Sequence, residues 1–264
     1  MSNYIDPIMR KELDRISDAV RKRDRDFVMV IDGEEGSGKS VLAMQLAKEL
    51  DPSFTIENVV FNSDQFLERV RNVKRFSCVL LDEAYSAANS RATLTEVNRS
   101  MVGVATEMRQ QNLFVLIVLP TFFDLDKYFA LWRCRCLIHV YFRKDGSRGS
   151  YLIFPRNKKK LLYLNGKKTY NYSKPKSPYP PCAFSNHYTI DEMEYRLKKQ
   201  AAFRVRPVSN QAKKWKDQRD ALIKDLYHNF KVETVNVGKR IESFGGVSIS
   251  QREVQSIVQI AAPV

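Results

Sequence analysis

The stretch Gly33-Glu34-Glu35-Gly36-Ser37-Gly38-Lys39-Ser40 constrains this chain more than any other: a glycine, four residues, then Gly-Lys-Ser. The run Phe27-Val28-Met29-Val30-Ile31 before it is continuous, apolar and partly β-branched, and reads as a buried strand. After it, Val41, Leu42, Leu46 and Leu50 recur at helical spacing among Ala, Met, Gln and Lys. A strand, a glycine loop and a helix N-terminus in that order are the setting in which this pattern cradles phosphate. A chance match in a glycine turn would need neither flank.

The chemistry follows from that geometry. Gly33, Gly36 and Gly38 allow a sharp turn that points several N–H groups into one concavity. The helix opening at Lys39 adds the positive end of its dipole, so a polyphosphate would be held by amides of residues 33–41, from Gly33 through Glu34, Glu35 and Ser37 to Val41. Lys39 can reach the terminal phosphates as a point charge, and the Ser40 hydroxyl can ligate Mg²⁺. The expected cofactors are ATP and Mg²⁺.

A second element completes that chemistry. Cys78-Val79-Leu80-Leu81-Asp82-Glu83 is an apolar strand that delivers two carboxylates at its C-terminal end, where ligands bind in parallel α/β sheets. Asp82 is the expected metal partner. Glu83 is placed to polarise the water that attacks the γ-phosphate, which favours hydrolysis over transfer to another acceptor. An apolar run ending in Asp-Glu is an ordinary strand end when it stands alone; after a phosphate loop it takes on this role.

The chain of 264 residues suffices for one such core plus an appendage, and 44% hydrophobic and 11% aromatic residues can fill it. Its 44 Lys and Arg exceed its 30 Asp and Glu, a formal net charge of +14. That excess points to a polyanion partner, nucleic acid before membrane, unless the charge is only a solvated surface. The cysteines at 78, 134, 136 and 182 show no C-x-x-C pair and no neighbouring histidines, which implies reduced thiols and a cytoplasmic setting rather than a zinc site. Residues 1–25 are charged throughout, without an apolar signal region, and no apolar stretch is long enough for a transmembrane helix.

Along the chain, Ile8, Leu13, Ile16 and Val20 mark an N-terminal surface helix. Asn62 and Gln65 fit a helix cap after a short strand at 58–61. Residues 93–111 read as a long polar helix with Arg91, Arg99 and Arg109 along or beside it. Leu113–Leu119 is the most apolar run and reads as a central strand ending at Pro120-Thr121. Thr121 then either senses the γ-phosphate or merely caps the turn before Asp124. A short helix over 125–132, Arg133 and Arg135, and a strand over 137–142 follow. Strands alternating with crossover helices imply a three-layer α/β fold on a parallel sheet, with the strand that carries Thr121 between the phosphate-loop strand and the Asp-Glu strand.

Gly33 to Ser40 followed by Val79-Leu80-Leu81-Asp82-Glu83 resembles the additional-strand P-loop ATPases related to RecA. The segment from Glu107-Met108-Arg109 through Pro120-Thr121 to Asp126-Lys127 is similar to the FtsK–HerA branch. That branch includes the zonula occludens toxin-like ATPases of phages and the DNA-packaging ATPases of archaeal viruses. The resemblance spans residues 26–145, and this chain has Pro120-Thr121 where many members carry Gln. It implies a homo-oligomer, a hexameric ring, with an arginine supplied in trans. Arg91, Arg99, Arg109 and Arg133 are the candidates.

Between Arg143 and Lys176 basic residues outnumber acids eleven to one, with Tyr151, Phe154, Tyr163, Tyr170, Tyr172 and Tyr179 interleaved. Lys144-Asp145-Gly146 and Asn165-Gly166 are hairpin turn signals, so antiparallel edge hairpins are expected, with lysines on phosphates and tyrosines on bases. The alternative puts Lys158-Lys159-Lys160 in a solvated turn over packed tyrosines. Residues 173–188 read as a Pro/Ser-rich linker. Beyond it, Thr189 with Glu192 caps one helix, and 211–230 is a second with a stripe of Trp215, Leu222, Leu226 and Tyr227. A shorter helical pattern spans 235–243, and Ser250 with Glu253 opens a last helix after Gly245-Gly246. Three helices and a glycine turn fit a helix-turn-helix module in 189–264, with Ser248, Gln251, Arg252 and Gln255 facing a groove.

The expected organisation is therefore an N-terminal helix (1–25), a P-loop ATPase domain with basic hairpins (26–172), a linker (173–188) and a helix-turn-helix-like domain (189–264). Three functions fit it. The first is an ATP-hydrolysing motor on double-stranded DNA, a translocase or packaging ATPase of phage, viral or mobile-element character working in host cytoplasm. The second is an ATP-switched DNA-binding protein of the helicase-loader or transposition-regulator type. The third is a morphogenesis or secretion ATPase whose basic face meets protein or lipid.

Overall fold

Seven residues from Phe27 to Gly33 form β1, the strand on which the rest of the sheet is built. The computed structural model describes residues 4–82, 103, 105–204, 210–229, 231, 233, 236–237, 239 and 249–259. Glu83, Arg91 and Arg99 lie outside the described residues, as do most of the helix expected over 93–111 and the Gly245-Gly246 turn. The described chain forms two compact units, 1–205 and 206–264.

The first unit is a mixed, mostly parallel seven-stranded sheet of order β2-β3-β4-β1-β5-β6-β7. Its strands are β1, β2 (Val59–Val60), β3 (Cys78–Leu81), β4 (Phe114–Val118), β5 (Cys136–Tyr141), β6 (Ser150–Pro155) and β7 (Cys182–Ala183). β2, β3, β4, β1 and β5 run parallel, while β6 is antiparallel to both β5 and β7. β4 lies between β1 and β3 as its apolar run required: all five of its residues are buried, which only an interior strand provides. Gly33, Asp82 and Thr121 therefore leave the sheet at one edge, the C-terminal ends of β1, β3 and β4.

Helices cover both faces. On one face α1 (Pro7–Lys22) packs Met9, Leu13 and Val20, and α2 (Lys39–Leu50) buries Leu42, Leu46 and Leu50. On the other, α3 (Ser63–Asn72) buries Phe66 and Val70, and α4 (Ala105–Gln110) joins the same face through Met108. Asn62 caps α3 as expected: its Oδ1 accepts from Gln65 N at 2.9 Å, and Gln65 Oε1 accepts from Phe61 N at 3.1 Å. All four cysteines are buried.

The basic middle departs from the expected pair of hairpins. β5 and β6 do form one, turning through Lys144-Asp145-Gly146, where Gly146 has φ +76. Asn165-Gly166 is not a second turn; it ends helix α5 (Arg156–Gly166). The reason is packing: the buried positions are Lys159, Leu162, Tyr163 and Gly166, an i, i+3, i+4, i+7 set that lays one helical face against Phe122, Phe123 and Leu125. Tyr151, Phe154 and Tyr163 are core residues, and Tyr172 is largely enclosed, so these aromatics are not a stacking platform; Tyr170 is the exposed one.

Lys159, in the cluster expected either to contact phosphates or to form a solvated turn, is fully buried and donates to the carbonyls of Ala130 and Leu131 within a π-helical turn (Phe129–Arg133). Burial pushes its ammonium below its usual pKa. Lys159→Ala removes these bonds and leaves a cavity, and should cost about 2–4 kcal/mol in urea denaturation. Because the unfolded chain holds the proton more tightly, stability should rise with pH up to about 10.5 relative to Lys159→Met.

Residues 173–188 are not a free linker. They supply β7 and then lie along α2, where Gln45 Nε2 donates to Ser185 O (2.6 Å) and His187 O (2.7 Å). Helix α6 (Glu192–Arg204) follows and belongs to the first unit, not to a separate C-terminal domain. Its cap is Asp191, whose Oδ1 accepts from Glu194 N at 2.7 Å; Thr189 instead donates to Met44 O at 3.0 Å.

In the second unit, α7 (Asn210–His228) and α8 (Gln251–Gln259) pack through Ile223, Val254 and Ile257, with Val237 and Ile249. Ser250 caps α8, accepting from Glu253 N at 3.3 Å. Trp215 and Leu222, expected on the inner stripe, are exposed in this unit; Ile223 holds the buried position.

Candidate nucleotide site at the phosphate loop

β1 ends at Gly33 with φ +137, and a Cβ there would stand 1.9 Å from the carbonyl oxygen of Val140 on β5. Strand pairing and the turn out of the sheet therefore meet at one residue. Ser37 is buried and its Oγ donates to Glu34 O at 2.7 Å, while the side chains of Glu34 and Glu35 are exposed and only their backbone shapes the loop. Gly38, φ +97, is the N-cap of α2 and supplies no side-chain cap, so the first-turn amides of a twelve-residue helix face the loop. Lys39 Nζ donates to Gly33 O and Glu34 O, both at 2.7 Å, winding the loop around one ammonium.

Ser40 and Asp82 come together although 42 residues separate them: Ser40 Oγ donates to Asp82 Oδ1 at 2.9 Å. Asp82 is fully buried at the end of β3. Its other oxygen, Oδ2, accepts from the hydroxyl of Tyr195, and Lys199 Nζ lies 3.7 Å away. Neither Tyr195 nor Lys199 carried any signal in the sequence.

These residues fit a Mg²⁺–nucleotide pair. A hydroxyl and a carboxylate are hard oxygen donors, and Mg²⁺ normally takes one or two carboxylates with phosphate oxygens and water making up the rest. Uncapped amides at the N-terminus of α2, with Lys39 beside them, favour anionic oxygens. A nucleotide bound here would supply the phosphate groups; the chain's part is to orient them through the loop amides, Lys39 and Ser40.

No protein-family model matches this chain, and no curated protein matches it. Among solved structures it is similar to the crystal structure of the N-terminal domain of zonular occludens toxin from Neisseria meningitidis. The likeness covers 65% of this chain and 98% of that one at 16% identity, with a TM-score of 0.36. The parallel strand order, with β4 between β1 and β3, and the glycine loop wound on Lys39 are those of an α/β P-loop-like core. The core is P-loop-like.

Thr121 sits at the right edge, one residue past Pro120, whose carbonyl accepts from Gly33 N at 3.3 Å. Its hydroxyl is engaged inward: Oγ1 accepts from Phe123 N at 3.3 Å and lies 3.0 Å from Tyr172 Oη. Behind it is a buried network that the sequence reading missed. Asp32, fully buried, accepts from Phe122 N at 2.8 Å, from Tyr172 Oη, and from His139 Nδ1 at 2.8 Å. The His139 and Tyr172 rings stack with centroids 4.0 Å apart. Burial, then the Asp32 charge, pushes the Tyr172 phenol well up, so it stays a donor at ordinary pH. An aspartate inside an otherwise apolar strand was the available signal, because a buried carboxylate demands partners.

The arginines divide differently from the expectation. Arg133 pairs with Asp26, beside the start of β1, at the sheet edge opposite the phosphate loop. Arg109 is exposed near the end of α4, whose chain leads into the start of β4 on that same opposite edge. Neither is gathered to the loop within this chain. Arg148, in the β5–β6 turn, is: a Cβ built on Gly36 would stand 3.8 Å from its Nη2. The hairpin signal was legible, but its return over the phosphate loop was not.

Proposed function

We propose that this chain is a Mg-ATP-hydrolysing P-loop ATPase acting on double-stranded DNA, a translocase or packaging-type motor working as a homo-oligomeric ring. The observation that carries the nucleotide half is the Ser40–Asp82 hydrogen bond beside a loop wound on Lys39, at the C-terminal edge of a sheet with a strand inserted between the two motif strands. Glu83, next to Asp82 in sequence, is the proposed general base. The DNA half rests on the net charge of +14 and on exposed basic side chains in the middle of the chain, among them Arg143, Lys144, Lys167, Lys168, Lys174 and Lys176. Phosphate contacts rather than base stacking follow from the burial of Tyr151, Phe154 and Tyr163. The helix-turn-helix reading of the C-terminal unit is part of the same proposal, with Gln251 and Arg252 exposed on α8.

The test is the ATPase rate with and without double-stranded DNA, with the mass of the ATP-bound assembly measured in parallel. Stimulation several-fold or more that fades with added salt, from a ring-sized assembly, is the expected result. An ATPase indifferent to DNA removes the DNA half, and a chain that binds no nucleotide removes the whole.

A further inference from the structure

Residues 184–199 bring to the metal carboxylate a set of groups that neither motif foresaw. The chain passes Gly38, where a Cβ would meet the Phe184 ring at 3.1 Å, and is fixed along α2 through Gln45 and Thr189. It then enters α6, where Lys198 Nζ donates to Ile56 O at 2.8 Å. Tyr195, 3% exposed, packs its ring against Phe61 and Tyr188, with centroids 6.0 and 5.8 Å away. Its hydroxyl ends on Asp82 Oδ2, and Lys199, one turn later, donates to that hydroxyl at 3.2 Å.

The two oxygens of Asp82 are thus divided. Oδ1 serves Ser40 and the phosphate loop; Oδ2 serves α6. A carboxylate held by one oxygen alone can rotate, and rotation would turn Oδ1 away from the position where Ser40 needs it. We infer that Tyr195 is a positioning residue for the metal carboxylate, so that docking of α6 and binding of Mg²⁺ with nucleotide strengthen each other. This rests on the reading of residues 33–41 and Asp82 as a Mg²⁺–nucleotide site. Hydrogen bonds behind a metal-binding group are commonly worth 10–100-fold in metal affinity. Linkage makes the effect reciprocal: if docked α6 tightens Mg²⁺ binding, Mg²⁺ with nucleotide tightens α6.

The full chain is titrated with a fluorescent ATP analogue, in EDTA and at graded Mg²⁺. Tyr195→Phe keeps the ring and removes only the hydroxyl. It should raise the half-saturating Mg²⁺ concentration about 10-fold while leaving nucleotide affinity in EDTA unchanged. A residue serving only the core would shift neither. Hydrogen exchange on the wild-type chain gives the second measurement, independent of how the variant folds: Mg²⁺ added to the nucleotide complex should slow exchange across α6. Unchanged Mg²⁺ half-saturation in a folded Tyr195→Phe, or α6 exchange indifferent to Mg²⁺, overturns the inference alone. A wild-type chain whose nucleotide affinity ignores Mg²⁺ overturns the site reading and the inference with it.

Discussion

Lys39→Ala should weaken nucleotide binding by at least about 100-fold. The ammonium has two 2.7 Å carbonyl partners in the loop and can offer the same protons to phosphate oxygens. Charge-assisted bonds of this kind contribute about 1.5–3 kcal/mol each, and 2.7 kcal/mol is a hundredfold in affinity. The methyl group of alanine reaches neither partner. Isothermal titration with ATP measures the loss directly, and binding within tenfold of the wild type would remove Lys39 from the site. Glu83→Gln separates binding from chemistry. If Glu83 is the general base proposed above, the variant should keep its affinity and hydrolyse about 10²–10⁴-fold more slowly. A normal single-turnover rate in that variant assigns the base elsewhere.

Gly33→Ala should destabilise the protein by about 4 kcal/mol and disturb the loop with it. The new Cβ would lie 1.9 Å from Val140 O, a backbone atom in the middle of a sheet that cannot swing aside as a side chain could. Separating β1 from β5 adds an overpacking cost to the strain of φ +137, each about 1–3 kcal/mol. Gly146→Ala is the matched control. It also has positive φ, at +76, but nothing lies within 4 Å of the added carbon, so only the strain of about 1–2 kcal/mol remains. Urea denaturation of both variants tests the difference. Equal losses would mean that the close approach to β5 does not exist in solution.

The sequence carried the central strands and the two phosphate motifs because each depends on residues close together in the chain. A short apolar run rich in β-branched and aromatic residues and bounded by turn residues reads as an interior strand, and β1 and β4 contain such runs. The cap at Asn62–Gln65 was legible for the same reason: donor and acceptor are three residues apart. The second hairpin failed because Asn165-Gly166 is equally suited to ending a helix, and only the apolar surface of Phe122, Phe123 and Leu125 decided between them. The lysine cluster misled likewise. Charge pattern treats its three members alike, whereas the carbonyls of Ala130 and Leu131 select Lys159 for burial.

By itself, then, the sequence determined that a phosphate loop would open a helix after a buried strand, and that a carboxylate would end another strand of the same sheet. Those are local consequences of glycine, lysine and apolar runs. Only the tertiary structure decided what surrounds the carboxylate: Ser40 on one oxygen, and Tyr195 on the other from a helix that begins 110 residues later. It also decided that Arg148 returns to the loop while Arg133 is paired with Asp26 at the opposite edge. Such contacts leave no periodic trace, because a single long-range hydrogen bond places no demand on neighbouring residues, whereas a strand or a helix places one on every turn.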